Sequence, residues 1–322
     1  MIAFLLRRLA GTVLILFAIS ALTFLIFFAT PGVDPAARIA GRNADPATVA
    51  QVRTSFGLDR PMPVRYGLMM KHLFVDGDLT SYVNRGQRVL PQIVDAIPVT
   101  LSLVVGAAVI WMLVGITLGT LSARSRGGFV DPLLSVVGLI GVSVPVYWLG
   151  EVVNLLTQSR LHESLFRWVP PLGYVALTDN PGQWALHLLF PWLTLAVLYA
   201  GIYARVLRGE LLAALSEDYV RTARAKGVSE RRVLLKHALR CSLIPVVSLF
   251  GLDFGALVGG SALLTEVVFA LPGIGRLTFS ALQSTDLPVI ISAVIYAAFF
   301  VVLANAAVDL LYARLDPRVR RA

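Results

Sequence analysis

Cysteine is almost missing from this 322-residue chain, where Cys241 stands alone. One thiol cannot close an intrachain disulfide, so loops must be held by packing. Zinc sites built on cysteine pairs are excluded as well. Charge is also scarce: Asp, Glu, Lys and Arg make up 15% of the residues, against about 25% in soluble domains. A soluble fold of this length needs a more polar surface. Among the 28 basic residues only three are lysines. Catalytic signatures are absent too. There is no G-x-x-x-x-G-K-[ST], so the chain is not expected to hydrolyse ATP itself, and no H-E-x-x-H. The four histidines, His72, His162, His187 and His237, have no close ligand spacing, and no metal site is expected.

What is present is apolar. Such residues form 57% of the chain, and the mean hydropathy is +0.77. A bilayer core about 30 Å thick needs roughly 20 apolar residues in a helix. Six segments reach that length: Leu9–Ala29, Ala96–Ala123, Pro132–Gly150, Asn180–Ala204, Cys241–Thr265 and Leu287–Val308. The fold class expected is an all-α membrane protein with six transmembrane helices. Asn180-Pro181-Gly182 reads as a turn, which would start the fourth span a few residues late. The first run exceeds a signal-peptide core and lacks a clear cleavage site, so it reads as an uncleaved anchor.

Six spans put both termini on one side. If that side is the cytoplasm, inner segments hold 17 of the 28 basic residues, and eight of the other 11 lie in one long outer loop. Long loops are weakly bound by the positive-inside rule, so the termini are expected inside. The charge of +9 then reflects membrane orientation, not nucleic-acid binding. The outer loop, about Thr30 to Asp95, is too long for a bare connection. Asp45-Pro46 reads as a helix N-cap and first position, opening a helix towards Phe56. A second helix is expected from Pro63 to Val75, ended by Asp76-Gly77-Asp78. The division expected is 1–95, the first span plus a small extracytoplasmic helical cap, and 96–322, the main transmembrane domain.

Gly115 and Gly119 in the second span, and Gly251, Gly255 and Gly259 in the fifth, recur every four residues. That spacing lines one helix face and lets a neighbour approach closely. Intramembrane charge is costly, so Asp253, near the middle of the fifth span, reads as a polar pathway residue or an interhelical contact. Glu266, towards the outer end, reads as a structural or gating contact, and Glu151 also falls near an outer end. Pro98, Pro145 and Pro191 lie in or at the start of spans, where kinks can be absorbed.

The most informative stretch is the loop at 208–240. Ser216 is expected to cap a helix carrying Glu217 and Asp218 in its first turn. Gly227 suits the left-handed residue that ends it. Ser229 is expected to cap a second short helix. Tyr219, Val220 and Ala223 form a small apolar face ringed by Arg221, Arg224 and Lys226. Contact with anionic lipid is one reading. Two capped helices specify more than lipid contact requires, which favours docking of a soluble partner.

Ala223-x-x-x-Gly227 resembles the core of the "EAA" loop of ATP-binding-cassette importer permeases. The wider text from Tyr219 through Lys236-His-Ala-Leu-Arg240 to Ile244-Pro245 resembles the peptide and nickel subgroup. Gly57-Leu-Asp-Arg-Pro61, Gly77-Asp-Leu79, Pro98-Val-Thr-Leu101, Glu266-Val-Val-Phe269, Pro272-Gly273 and Leu315-Asp-Pro-Arg318 agree in order. Arg221 stands where many relatives carry Glu, and Arg240 where many carry Pro. The resemblance implies the type I importer permease fold and a bacterial inner-membrane location. It implies a second related permease, two ATPase subunits that hold ATP and Mg, an extracytoplasmic substrate-binding protein, and no cofactor in this chain. It also implies that Tyr219, Val220, Arg221, Ala223, Arg224, Lys226 and Gly227 dock the ATPase. Peptide is the expected cargo, with nickel or another small solute as the alternative inside the family.

Two readings compete from outside it. An autonomous ion-coupled transporter would need coupling carboxylates and often inverted repeats, and only Asp253 is deeply placed. An intramembrane enzyme would need a nucleophile and base at depth, and Ser20, Ser143 and Ser261 are candidates in name only.

Overall fold

The computed structural model describes residues 2–28, 34–40, 45–55, 57–84, 86–125, 144–159 and 162–315. In a bilayer, uncharged runs can satisfy their backbone N–H and C=O groups internally only as helices or closed barrels. Here they are helices. α1 (Ile2–Phe28) precedes three short helices, α2 (Pro35–Ala40), α3 (Pro46–Ser55) and α4 (Met62–Lys71). Then come α5 (Val89–Arg124), α6 (Val146–Gln158), α7 (Pro181–Ser216), α8 (Asp218–Ala225) and α9 (Glu230–Ser261). α10 (Leu263–Val268), α11 (Ile274–Ser284) and α12 (Leu287–Leu315) follow. Among the described residues there is no strand beyond the single bridge Thr80–Arg88.

Among the described residues four helices, α5, α7, α9 and α12, are long and apolar enough to cross a membrane, and α1 adds the apolar stretch Ala10–Ile26. Most of the third expected span, Pro132–Gly150, lies outside the described residues. Its end continues into α6 with Pro145 at the N-cap, so Glu151 falls inside a helix instead of after one. α5 and α7 have 36 residues each, about 54 Å at 1.5 Å per residue. They overrun the bilayer core. Asn180 does not begin a turn. Its side chain accepts the Gln183 N–H at 3.0 Å and Pro181 takes the first helical position, so α7 starts there.

The chain divides into two compact units: residues 1–100, 258–263 and 272–302, and residues 101–257, 264–271 and 303–322. The core of the first joins Phe24 and Phe28 of α1, Met69 of α4, Val89 and Ile93 of α5 and Ile290 and Ile291 of α12. Ser20, one of the three serines above, is spent here on structure. Its hydroxyl lies 2.7 Å from the Tyr66 hydroxyl of α4 and donates to the Phe17 carbonyl. The cap helices follow the sequence. Asp45 accepts the Thr48 N–H at 3.2 Å at the head of α3. α4 runs into a wide turn over His72–Asp76 and stops at Gly77, which has φ +64°.

In the second unit the glycine face of α5 meets α7. A Cβ on Gly115 would lie 2.8 Å from the Tyr203 Cβ, and one on Gly119 would lie 2.8 Å from the Ala204 carbonyl oxygen. Gly119→Val is therefore expected to cost about 1–3 kcal/mol through overpacking. Gly209→Ala in α7 meets nothing within 4 Å and should gain about 0.5–1 kcal/mol of helix stability. Thermal unfolding of the detergent-solubilised protein compares the two, and equal midpoints would contradict the packed face.

The fifth expected span, Cys241–Thr265, is not one helix. Gly260 has φ +118° inside a wide turn over Leu257–Ser261, and α10 starts afresh at Leu263. Glycine alone takes that conformation cheaply. The expected glycine face is packed: Gly251 and Gly255 are buried, and Gly259 lies so close to Val301 that a Cβ would come within 2.8 Å.

Candidate coupling loop and membrane carboxylates

The loop at 208–240 is built differently from expectation at its start. Ser216 is the last residue of α7, and its hydroxyl turns back to the Ala213 carbonyl at 2.7 Å. Extended Glu217 (φ −71°, ψ 151°) both ends α7 and precedes α8. Asp218 then sits in the first turn, where a carboxylate opposes the helix dipole favourably.

The far end is as read. Gly227 has φ +75°. Its N–H donates to the Arg224 carbonyl at 2.9 Å, and the Val228 N–H donates to the Ala223 carbonyl at 3.2 Å. These are the paired bonds of a Schellman motif, which needs the left-handed residue at that position. Arg224 closes the turn from outside. Its Nε and Nη2 donate to the two Glu230 oxygens at 2.7 and 3.1 Å, and this partner holds the guanidinium above its usual pKa. Ser229 does precede a helix, though its side chain makes no cap bond. That helix is not short and separate. It is the opening of α9, which runs on through a wide turn at Val233–Ala238.

Val220 and Ala223 of α8 are buried, as are Val233 and Ala238 of α9. α8 packs on both the end of α7 and the start of α9. The expected apolar face is therefore turned inward, and Tyr219 departs from it with 42% exposure. Partial burial, followed by the neighbouring Cys241 thiol, pushes its phenol above the usual pKa. Arg221 and Lys226 are exposed, with Arg221 3.3 Å from Asp218. The outcome is an eight-residue helix clamped between two long ones, with aromatic and basic groups outward.

The two carboxylates occupy different settings. Asp253 on α9 is half-buried and accepts the Tyr203 hydroxyl at 2.8 Å. Trp111, fully buried, packs against Tyr199, Tyr203 and Phe250 beside it. Tyr203 was not legible as a partner, because it lies 50 residues away on another helix. Glu266 lies beyond the Gly260 break on α10, has no exposed surface, and its carbonyl accepts the Leu271 N–H at 2.8 Å. Nearby, Asn154 of α6 donates to the Val268 carbonyl at 2.8 Å.

The structure does not bring the histidines together. Nδ1 of His162 and of His187 each meets a carbonyl of its own neighbourhood, at 3.0 and 2.8 Å. One grouping escaped the sequence: His72, Asp76 and Asp78 converge at the end of α4. They are spent on each other. His72 Nδ1 lies 2.7 Å from Asp78 and 3.5 Å from Asp76, and the imidazole holds the Asp78 carboxyl below the usual range. Ser143 lies outside the described residues. Ser261 sits in the wide turn before α10.

Comparison with known proteins agrees with this architecture. Residues 115–321 match the family described as the binding-protein-dependent transport system inner membrane component. Residues 1–104 match the N-terminal region of the same kind of membrane component. A putative peptide transport system permease protein of Brucella abortus is 40% identical over 320 residues, 99% of each chain. A probable D,D-dipeptide transport system permease protein of Escherichia coli is 38% identical over 98% of this chain and 96% of its own length. The dipeptide transport system permease protein of Alkalihalophilus pseudofirmus is 35% identical over 99% and 100%. With both family regions matched in order along the chain, this protein belongs to the inner-membrane permeases of binding-protein-dependent ABC transport systems.

Proposed function

We propose that the chain forms half of the translocation pathway of an importer for short peptides. A second, related permease supplies the other half. Two ATPase subunits, which bind ATP and Mg, dock at α8, and an extracytoplasmic binding protein delivers cargo on the face that carries the cap. Both termini lie in the cytoplasm, as the distribution of arginine favours. The observation that carries the reading is α8 itself. Val220 and Ala223 anchor it, the Gly227 turn fixes its angle, and Tyr219, Arg221 and Lys226 are left outward for a partner. A helix clamped at both ends transmits displacement as a lever, so ATP and cargo can favour different arrangements of the spans. The names of the relatives, peptide and dipeptide transport system permeases, support peptide over nickel.

Asp253 is the proposed pathway group. Tyr203 occupies one of its oxygens and leaves acceptor capacity for a cargo amine. Hydrogen bonds to charged groups contribute about 1.5–3 kcal/mol, roughly a 10–100-fold effect. Asp253→Asn should therefore lower uptake of a free-amine dipeptide by roughly that factor relative to its N-acetyl form. Radiolabelled uptake into membrane vesicles measures the ratio, and an unchanged ratio removes Asp253 from the pathway.

A further inference from the structure

From Val228 to Arg240 the chain holds four basic residues, Arg231, Arg232, Lys236 and Arg240, and one acidic residue, Glu230. Arg224 of α8 already holds Glu230 through both carboxylate oxygens. All four cations are exposed, and among the described residues none of their side chains has an ion-pair or hydrogen-bond partner.

Their spacing puts three of them in line. An α-helix repeats every 3.6 residues, and the wide turn at Val233–Ala238 takes more than that. The four-residue step from Arg232 to Lys236 to Arg240 falls between the two repeats, so these side chains share one face. Val233 and Ala238 turn inward and are buried. Leu235 interrupts the charge with an apolar side chain left 46% exposed. Cations around an exposed apolar side chain are the pattern of a helix that lies against a membrane surface.

Depth points the same way. Arg240 adjoins the apolar run that begins at Cys241 and enters the bilayer. Lys236 and Arg232 stand about 6 and about 12 Å further back along the helix, at 1.5 Å per residue. The headgroup layer takes up about 5–8 Å on each side of the hydrocarbon core, and long basic side chains extend to reach it. A soluble partner at α8 does not need these groups, because α8 presents its own, Tyr219, Arg221 and Lys226, before the Gly227 turn.

We infer that the opening turns of α9 bind the headgroups of anionic phospholipid, with Leu235 set between the acyl chains. The phosphates supply the acceptors that Arg232, Lys236 and Arg240 lack. Because α8 packs on the start of α9, this contact fixes the base on which α8 turns.

The test is site-specific quenching in vesicles. In a Cys241→Ser background, Leu235→Cys carries a fluorescent label, and the full chain is reconstituted into mixed phosphatidylglycerol and phosphatidylcholine. Bromines are placed on the acyl chains of one lipid or the other. Brominated phosphatidylglycerol is expected to quench with at least about 10-fold higher apparent affinity than brominated phosphatidylcholine. Molar salt should narrow the difference, since it cuts the Debye length to about 3 Å. Arg232→Gln, Lys236→Gln and Arg240→Gln combined should remove the preference, and Lys236→Gln alone should lower it several-fold. Equal quenching by the two lipids with all three cations in place overturns the inference. So does a preference that survives in the triple variant at a normal thermal midpoint. Absence of quenching by either lipid also overturns it, and gives this face to the ATPase subunit or another soluble partner. None of these readouts involves ATP or cargo, so the inference and the proposed function stand or fall separately.

Discussion

Gly227→Pro is expected to abolish ATP-driven uptake while the protein still inserts in the membrane. Proline fixes φ near −65°, whereas Gly227 sits at +75°. It also removes the N–H that Gly227 donates to Arg224. Both bonds of the Schellman closure depend on that geometry, so α8 loses its fixed angle to α9. Gly227→Ala separates this from crowding. A Cβ there meets nothing within 4 Å, so alanine suffers only the left-handed backbone penalty of about 1–2 kcal/mol. Uptake should fall in the order glycine, alanine, proline, at equal amounts of membrane-inserted protein. The readout is ATP-dependent accumulation in vesicles, and full activity of the proline variant would remove α8 as a lever.

The second large effect is expected at Asp286, a residue that no motif marks. It is 3% exposed and stands just before α12. Its carboxylate accepts the Ser81 hydroxyl and, at 3.1 Å, the Tyr82 N–H, from more than 200 residues away in sequence. The chain reaches it through Thr285, held at φ +61° at the end of α11. Asp286→Ala leaves two buried donors unmet at about 1–3 kcal/mol each. Asp286→Asn keeps an acceptor and should lose less. Limited proteolysis of solubilised protein should cut the 79–88 segment of the alanine variant much faster than wild type. Equal cleavage rates would mean that the tie contributes nothing to the cap.

These residues mark how far the sequence could be read. Local signals were legible where the physics is local. Asp45 before Pro46 and Gly77 after α4 each delimited a cap helix, and Gly227 marked the end of α8. The four-residue glycine spacing announced a packed face, because helix geometry alone puts Gly115 and Gly119 in line. Hydropathy located the spans but not their ends. α5, α7 and α9 extend past their apolar windows into charged sequence, where helix geometry carries on and the membrane does not. The break at Gly260 was invisible, because it lies inside an apolar run and changes no hydropathy. Glu217 displaced Ser216 at the head of α8 because α7 continued as far as the serine, whose hydroxyl then bonded backwards. The tertiary partners were out of reach altogether. Tyr203 with Asp253, Ser81 with Asp286, and Arg65 over Phe28 are each separated by dozens of residues or more, and nothing in their spacing pairs them.

The proposed function stands or falls on the docking of an ATPase subunit at α8. Its most direct test is site-specific cross-linking from outward-facing Arg221. In a Cys241→Ser background, Arg221→Cys should yield a cross-linked product in native membranes. Mass spectrometry should identify the partner as a subunit carrying G-x-x-x-x-G-K-[ST], and its yield should change when ATP is added. Membranes that retain ATP-driven uptake but give no such product, with cysteines elsewhere on the chain trapping the ATPase instead, would contradict the account.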